Sequence, residues 1–186
     1  MNKLAVFTCI LLLGGLAAAQ APTSGNVFVG YSYENIDLFN TGRSNFNGWQ
    51  ASVEGKVIPG IGIVADFGDH YGSGTSVVVG VGATCPINGC PSINGNAHIF
   101  EAMFGPRFSV SVGRYRPFGE IELGVAHLSS NVLVSGNSFA GALGGGLDYR
   151  VLRPVALRVQ ADYVWTHFIS PYQSTIRVAT GVVIRF

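Results

Sequence analysis

The chain has 186 residues, of which 48% are hydrophobic and only 11% are charged, and its formal net charge is +1. This near-neutral balance gives no electrostatic reason to expect nucleic-acid binding, and the charge content lies far below the roughly 25% of average soluble domains. After the first twenty residues no apolar run approaches the length of about 20 residues that a membrane-spanning helix needs, so a helical membrane protein is excluded.

The N-terminal residues have the three parts of a secretory signal peptide. Lys3 supplies the positive start, a short apolar segment follows, and Ala17–Ala19 fits the small-residue rule for cleavage. We therefore predict a signal peptide over residues 1–19 and one mature domain over residues 20–186. Cys9 would be removed with the signal peptide. A lipoprotein anchor at that cysteine is a poor alternative, because the apolar segment continues past it.

Hydrophobic residues alternate with polar or small ones along the mature chain, which is the period of β-strands. In chain order the predicted strands cover residues 26–35, 46–58, 61–70, 97–112, 115–130, 137–151, 155–168 and 174–186. The connections after the second, fourth and sixth strands are short and the others are longer, a pattern typical of outer-membrane barrels. We therefore predict an all-β fold, an eight-stranded antiparallel up-and-down transmembrane β-barrel after a cleaved signal peptide.

The longest connection, after the third strand, holds two cysteines in the sequence CPINGC. An even number of cysteines in an exported chain predicts a disulfide, here between Cys85 and Cys90. A metal site there is a poor alternative because the two thiols lack partner ligands, and no metal or cofactor is predicted elsewhere. The segment Gly72–Asn96 is the best candidate for binding a surface ligand, and the disulfide should stiffen its tip. Its residues 75–82 would extend the third strand or form a hairpin.

The two faces of each strand differ in polarity and in size. On the seventh strand Leu157, Val159 and Tyr163 share one face, whereas Arg158 and Asp162 share the other. A soluble barrel turns its apolar face inward, and a membrane barrel turns that face toward lipid. The polar faces also carry many glycines and alanines, while the large aromatic residues fall on the apolar faces. Since an eight-stranded barrel has little interior room, we predict that the polar faces line the lumen.

The predicted lumen holds nearly balanced charges, seven basic residues against eight acidic ones. An unpaired charge in a narrow lumen costs several kcal/mol, so the two sets should pair. The predicted ion-pair network comprises Glu54, Lys56, Asp66, Glu101, Arg107, Glu120, Glu122, Asp148, Arg150, Arg158, Asp162 and Arg177. Glu34, Arg116 and Arg185 share the inward face. An aromatic girdle is expected near the loop ends, formed by Tyr33, Trp49, Phe67, Trp165 and Phe168.

The eighth strand runs to the final residue, Phe186. A membrane-embedded sheet cannot leave unpaired backbone groups in lipid, so this strand should pair with the first.

Three stretches resemble small bacterial outer-membrane β-barrels of the OmpA transmembrane-domain type: MFGPRFSV (103–110), ALGGGLDYR with ALRVQADYVWTHF (142–150 and 156–168), and the terminal GVVIRF. The resemblance implies a location in the bacterial outer membrane, contact with lipopolysaccharide and a monomeric state. It also makes Phe186 the signal to the barrel-assembly machinery. No periplasmic peptidoglycan-binding domain is expected, and with it no cell-wall tether.

Two non-enzymatic functions fit this barrel. The first is a structural or surface role with a lumen plugged by ion pairs and no catalytic activity. The second is a narrow gated porin for small solutes or ions, because lumen glycines such as Gly144 and Gly146 would leave water-filled gaps.

A third function is modification of lipid A. His127 and Ser129 lie two residues apart near the outer end of the fifth strand, which resembles the His-x-Ser of lipid A deacylases. The serine would be the nucleophile and the histidine its base. We find no carboxylate suitably placed on the sixth strand to orient the histidine, so a girdle histidine and a loop serine are preferred. The Asp69-His70 pair resembles part of an outer-membrane aspartyl protease site, but it lacks a facing carboxylate, and loop solvation is preferred.

Overall fold

The computed structural model describes residues 24–36, 44–77, 92–130, 135–166 and 173–186. The predicted signal peptide with Cys9, the cysteines Cys85 and Cys90, and Phe168 lie outside the described residues. Within these ranges no helix is long and apolar enough to cross a membrane.

Eight antiparallel strands close into one barrel. They are β1 (Gly25–Ile36), β2 (Ser44–Ile58), β3 (Ile61–Val77), β4 (Ser92–Ser109), β5 (Tyr115–Ser130), β6 (Gly136–Arg150), β7 (Val155–Thr166) and β8 (Gln173–Arg185). Each strand pairs with its neighbours in chain order, and β1 also pairs with β8. The predicted eight-stranded up-and-down barrel is therefore confirmed. Short connections lie at one end, here called the inner end, and long connections lie at the outer end.

The strand bounds differ most from the prediction in β3 and β4. The two strands stay paired from Gly72 opposite Ala97 to Val77 opposite Ser92, beyond the predicted strand end at residue 70. The segment Gly72–Asn96 therefore begins and ends as a hairpin that lengthens the barrel wall. The alternative that residues 75–82 extend the third strand is confirmed as far as Val77, and residues 78–82 lie outside the described residues. The intervening residues 71–74, YGSG, gave no such signal, because glycine is depleted in β-strands.

Glycines with positive φ make two of the three tight turns of the inner end possible. Gly60 joins β2 to β3 with a φ of 85°, and Gly113 lies between β4 and β5 with a φ of 62°. Side chains with a Cβ rarely adopt this left-handed conformation. The two turns help to set the register of the β2–β3 and β4–β5 hairpins.

The end of the chain is held by backbone hydrogen bonds. The Gly25 amide donates to the Phe186 carbonyl oxygen at 2.9 Å, and the Phe186 amide donates to the Gly25 carbonyl oxygen at 3.1 Å. From there β8 pairs with β1 as far as Ile176 opposite Asn35. The predicted pairing of the last strand with the first is confirmed, and the barrel is closed by it.

The barrel is inside out relative to a soluble protein. Large apolar side chains such as Phe104, Leu123 and Val159 lie on the outer wall, with exposed fractions of 65%, 46% and 60%. The charged side chains of Arg107 and Arg177 lie inside and are fully buried. The outward face also carries the predicted girdle residues Tyr33, Trp49, Phe67 and Trp165. Tyr33 and Trp165 lie close to the outer ends of β1 and β7, whereas Phe67 lies nearer the inner end of the extended β3, so its predicted position in the girdle is wrong. The exterior is therefore suited to lipid and the interior is not.

The expectation that the large aromatic residues all face lipid is wrong for three phenylalanines. Phe28, Phe46 and Phe118 are buried inside the barrel. Phe118 lies under two guanidinium groups, 4.6 Å from Arg107 and 4.5 Å from Arg158 between ring centroid and Cζ. Cation–π attraction lets an aromatic ring fill lumen space beside a buried cation, so ring size alone does not assign a face.

Candidate functional site

The lumen begins at the outer end with an apolar layer. Its members are the buried residues Ile36, Phe46, Ala97, Ile99 and Leu128. They come from four strands and cover the charged interior from the side of the long connections. Below this layer the lumen side chains are mostly polar or ionised.

Arg177 on β8 is the centre of the outer half of the lumen. Its guanidinium donates to Asp162 Oδ2 at 3.1 and 3.0 Å and to Glu101 Oε2 at 2.9 Å. Asp66 and Glu122 lie farther away, with nitrogen–oxygen distances of 3.5 and 4.0 Å. One arginine therefore links carboxylates from β3, β4, β5 and β7 across the barrel axis.

Arg107 on β4 is the centre of the next group toward the inner end. It binds Glu120 on β5 through Nε at 2.5 Å and also through Nη2, and it reaches Glu54 on β2 at 3.4 Å. Arg116 binds the other Glu54 oxygen at 2.9 Å and donates to Ser109 Oγ at 2.6 Å. Charge-assisted bonds to guanidinium are the stronger class of hydrogen bond, so this group joins three strands firmly.

Arg158 on β7 completes the network at the inner end. It binds both Asp148 oxygens, at 2.7 and 3.2 Å, and Arg185 binds Asp148 Oδ2 at 3.2 Å. An amide side chain connects the other two groups. Gln160 Nε2 lies 2.8 Å from Glu120 Oε1 and 2.9 Å from Asp162 Oδ2, so the Arg107 and Arg177 groups are parts of one network.

Ten of the twelve residues predicted for the network lie in it. Within the described chain Lys56 and Arg150 form no ion pair, and Arg150 instead donates to the Gly113 carbonyl oxygen at 2.9 Å. Both residues lie near the inner rim, where water reaches them and pairing has little to gain. The prediction omitted Arg116 and Arg185, which bind Glu54 and Asp148. Strand alternation had placed both on the inward face, but the predicted network did not include them.

Negative charge exceeds positive charge in the outer half. Asp66, Glu101, Glu122 and Asp162 all lie within 4.0 Å of Arg177, and no other arginine or lysine contacts them among the described residues. Glu34, fully buried on β1, has no hydrogen bond to either carboxylate oxygen in the described part of the chain. The near-equal numbers of acidic and basic residues in the whole lumen therefore did not predict this excess of carboxylates in its outer half.

The outward face near the outer end carries a second polar group. His127 Nδ1 lies 2.5 Å from Asn137 Oδ1 on β6, and Ser129 follows on the same face of β5. The sequence pointed to no orienting carboxylate for His127, and the structure supplies an amide from the directly opposite residue. Asn137 lies outside the region of β6, residues 139–141, that the sequence had suggested.

Strand alternation separates the predicted Asp69-His70 pair. Asp69 faces outward, where its Oδ1 contacts His98 Nε2, while His70 is fully buried in the lumen. Consecutive residues of a strand point to opposite faces, so the two side chains cannot form one catalytic pair. The preferred interpretation of loop solvation is also wrong, because both residues lie within β3.

A shallow cleft of about 550 Å³ lies beside these outward residues. Tyr71, His98 and Ser129 line it together with Gly72, Ser73, Asn96, Ala97 and Ser130. The Tyr71 and His98 rings stack with centroids 4.7 Å apart. The cleft is open to the outside of the barrel and does not lead into the lumen network.

No protein-family model matches the chain, and no curated protein matches it. Solved structures match its fold. Neisserial surface protein A is 11% identical with a TM-score of 0.65, covering 87% of this chain and 97% of its own. Ail, the attachment invasion locus protein of Yersinia pestis, is 15% identical with a TM-score of 0.55, covering 89% and 99%. A major outer membrane protein from Thermus thermophilus is 12% identical with a TM-score of 0.51, covering 87% and 99%.

The fold is therefore that of small bacterial outer-membrane β-barrels, as the sequence resemblance implied. An apolar exterior on a closed barrel is the arrangement that lets a sheet span a bilayer. Fold and exterior together support the outer-membrane localisation expected from the sequence.

Proposed function

We propose that this chain is a structural or surface protein of the outer membrane whose lumen is closed by packed ion pairs. The observation that carries the proposal is the burial of Arg107, Arg158 and Arg177, each at most 1% exposed and each bound to carboxylates on other strands. A water-filled channel would leave such side chains hydrated. Here each of them bridges strands and occupies the space that permeating ions would need.

The alternative, a narrow gated pore, rested on glycines in the lumen. Gly144 and Gly146 do face inward, but a Cβ at either position would meet side-chain or backbone atoms of β7 within 3 Å. The neighbouring Asp162 and Gln160 side chains are both hydrogen-bonded into the network. The glycines therefore make room for packed neighbours, which favours the closed lumen over the pore.

Planar-bilayer recording on refolded protein tests the closed lumen. We expect no current steps above the bilayer leak, with insertion verified by heat-modifiable gel mobility of protein recovered from liposomes. A variant carrying Phe46→Ala, Ile99→Ala and Leu128→Ala removes bulk from the apolar outer layer and leaves the ion pairs in place. It should be equally silent. Regular steps from the wild-type protein would contradict the proposal, and steps from the variant alone would assign closure to the apolar layer.

A second candidate function is hydrolysis of an acyl chain of lipid A at the outer rim. It is favoured by the hydrogen bond between His127 and Asn137, which orients an exposed imidazole beside Ser129. An asparagine can replace the carboxylate of a catalytic triad, as in papain-like enzymes. Mass spectrometry of lipid A from cells with the protein, without it, and with Ser129→Ala decides the matter. Loss of an acyl chain only with the unmodified serine supports the activity, and unchanged lipid A in all three ends it.

Partners follow from the proposed location. Lipopolysaccharide would contact the outer girdle, the assembly machinery would recognise Phe186, and a surface ligand would bind the segment Gly72–Asn96 of a monomer. The connections at the outer end, residues 37–43, 78–91, 131–134 and 167–172, hold only two charged residues, Asp37 and Arg43. A ligand bound there would be recognised by neutral polar and apolar contacts. Ail has been solved with a heparin analogue, whereas Arg43 is the one arginine or lysine in the sequence of these connections and gives them no positive excess over Asp37 to attract such a polyanion.

A further inference from the structure

Three ionisable side chains converge in the lumen just inside the apolar outer layer. They are Glu34 on β1, His70 on β3 and Glu101 on β4, and one possible ligand atom of each lies within 4.8 Å of those of the other two. All three are buried, with exposed fractions of 0%, 0% and 2%. Glu34 and Glu101 lie two residues inward from Ile36 and Ile99, which places the cluster directly beneath that layer.

The cluster is incomplete as a set of hydrogen bonds. Neither Glu34 oxygen has a partner among the described residues, nor does His70 Nδ1. The other imidazole nitrogen, Nε2, lies 2.9 Å from Ser32 Oγ, which fixes the ring. A buried carboxylate and a buried imidazole lone pair are both costly to leave unmatched. Their proximity indicates that one further group satisfies both.

The surrounding charge determines the kind of group that fits. Four carboxylates already share Arg177, and Glu34 adds a fifth to this half of the lumen. A bound anion would raise the excess of negative charge, whereas a cation lowers it. A divalent metal ion also binds carboxylate oxygens and an imidazole nitrogen together in one coordination sphere.

We infer that Glu34, His70 and Glu101 form a binding site for a divalent transition-metal ion, with Zn²⁺ the ion that the ligand set suits best. Imidazole selects against Mg²⁺ and Ca²⁺, and carboxylate with imidazole is a familiar zinc ligand set. The Ser32 hydroxyl supports the ring from behind, as a second group does for most metal-binding histidines. No hydrogen bond from a described residue restrains the Glu34 carboxylate, so it can swing to close the cluster around an ion. The ion would then cross-link β1, β3 and β4.

Refolding with metal tests this site. Because the apolar layer covers the cluster, Zn²⁺ is supplied during refolding into detergent micelles, and the metal kept after gel filtration is measured by mass spectrometry. Every protein carries Cys85→Ser and Cys90→Ser, so that thiolates hold no zinc. We expect about one Zn²⁺ per chain. Glu34→Gln and His70→Gln should retain at least about tenfold less, because even the loss of a supporting second-shell group costs that much.

Glu122→Gln is the matched control. Glu122 is a buried lumen carboxylate near Arg177 whose oxygens also lack hydrogen-bond partners within the described ranges, but it is not part of the cluster. This variant should keep as much zinc as the parent protein. Heat-modifiable mobility shows that each variant is folded, and Zn²⁺ should raise the unfolding temperature of the parent and Glu122→Gln but not of Glu34→Gln. A parent protein that keeps no zinc, or a Glu34→Gln variant that keeps as much as the parent, would overturn the inference.

Discussion

Arg177 contacts more carboxylates than any other residue in the described lumen. Its guanidinium is fully buried and is shared by four carboxylates from four strands. Desolvating these groups is costly, so the value of the arrangement lies in each charge having an opposite neighbour. Removing the shared cation leaves several carboxylates uncompensated at once.

We predict that Arg177→Met lowers the free energy of unfolding by about 3–5 kcal/mol, the range for breaking a buried ion pair from one side. Arg150→Met is the matched control, because Arg150 is exposed at the inner rim and binds one carbonyl oxygen. Its effect should be about 1 kcal/mol or less. Urea titration of the refolded proteins in micelles measures both. Equal stability of Arg177→Met and the parent protein would show that the lumen charges do not depend on this residue.

Gly105 on β4 tests how closely β4 and β5 pack against each other in the barrel wall. A Cβ at this position would overlap the backbone carbonyl oxygen of Ile121 on the neighbouring strand. A Cβ added to Gly136, at the start of β6, would have no other atom of the described residues within 4 Å. We expect Gly105→Ala to cost about 1–3 kcal/mol of stability through overpacking, and Gly136→Ala to change it by about 0.5 kcal/mol or less. The same urea titration measures both stabilities. Equal losses for Gly105→Ala and Gly136→Ala would mean that the two strands can move apart to accommodate a methyl group.

The sequence predicted which charged residues face the lumen, but not which side chains contact them there. Strand alternation placed Arg158 and Asp162 inside, because parity is a local property of a strand. It could not place Phe118 between two arginines, since its contacts with Arg107 and Arg158 join three strands. Strand alternation also could not distinguish Glu34 from Glu101. Glu101 is paired with Arg177, whereas the Glu34 oxygens have no partner in the described chain. Those distinctions depend on register between strands that lie far apart in sequence.

At the scale of strands, β8 has the most specific task, because it closes the sheet. Its backbone bonds reach Phe186 itself, which pairs with Gly25. The side chain of Phe186 is 61% exposed, so its ring contributes little buried surface. Backbone pairing and the ring therefore serve separate purposes.

We predict that Phe186→Ala folds in detergent with an unchanged urea midpoint, because the substitution keeps every backbone bond of β8. In the cell the same variant should reach the outer membrane in lower amounts, because the resemblance assigns the terminal ring to recognition by the assembly machinery. Membrane fractionation with heat-modifiable mobility measures the folded amount. Val182→Ala, on the same face of β8, is the control and should assemble normally. If Phe186→Ala reached the outer membrane in the same amount as the parent protein, the Phe186 ring would not be an assembly signal.

Most strand bounds could be predicted from the sequence. The exceptions are β3 and β4, whose outer ends extend beyond the predicted bounds. Six strands have bounds within two residues of those predicted, because their apolar and polar residues alternate without interruption. The extension of β3 to Val77 carries glycine, serine and threonine instead. The sequence left open whether residues 75–82 extend this strand or form a hairpin, because backbone pairing with β4 does not depend on a hydrophobic pattern.

At the scale of the whole molecule, the distribution of side chains is inverted relative to that of a soluble protein. Apolar residues cover the outer wall, ion pairs fill the lumen, and the sheet closes on itself. Each feature requires the others, since a charged interior is tolerable only when closed, and a closed sheet with this exterior needs lipid or detergent around it. The predicted fold followed from alternation, turn lengths and residue size, while the purpose of the barrel depends on the lumen and rim contacts described above.

The inversion can be tested with the two tryptophans of the chain, Trp49 and Trp165, both on the outward face. The protein is refolded into bilayers that contain phospholipid brominated on its acyl chains, because bromine quenches indole fluorescence only on contact. We predict strong quenching, greater for bromine near the headgroups than for bromine deep in the bilayer, since both residues lie in the outer girdle. Fluorescence unaffected by bromine at either depth would place the indoles away from lipid and contradict the account.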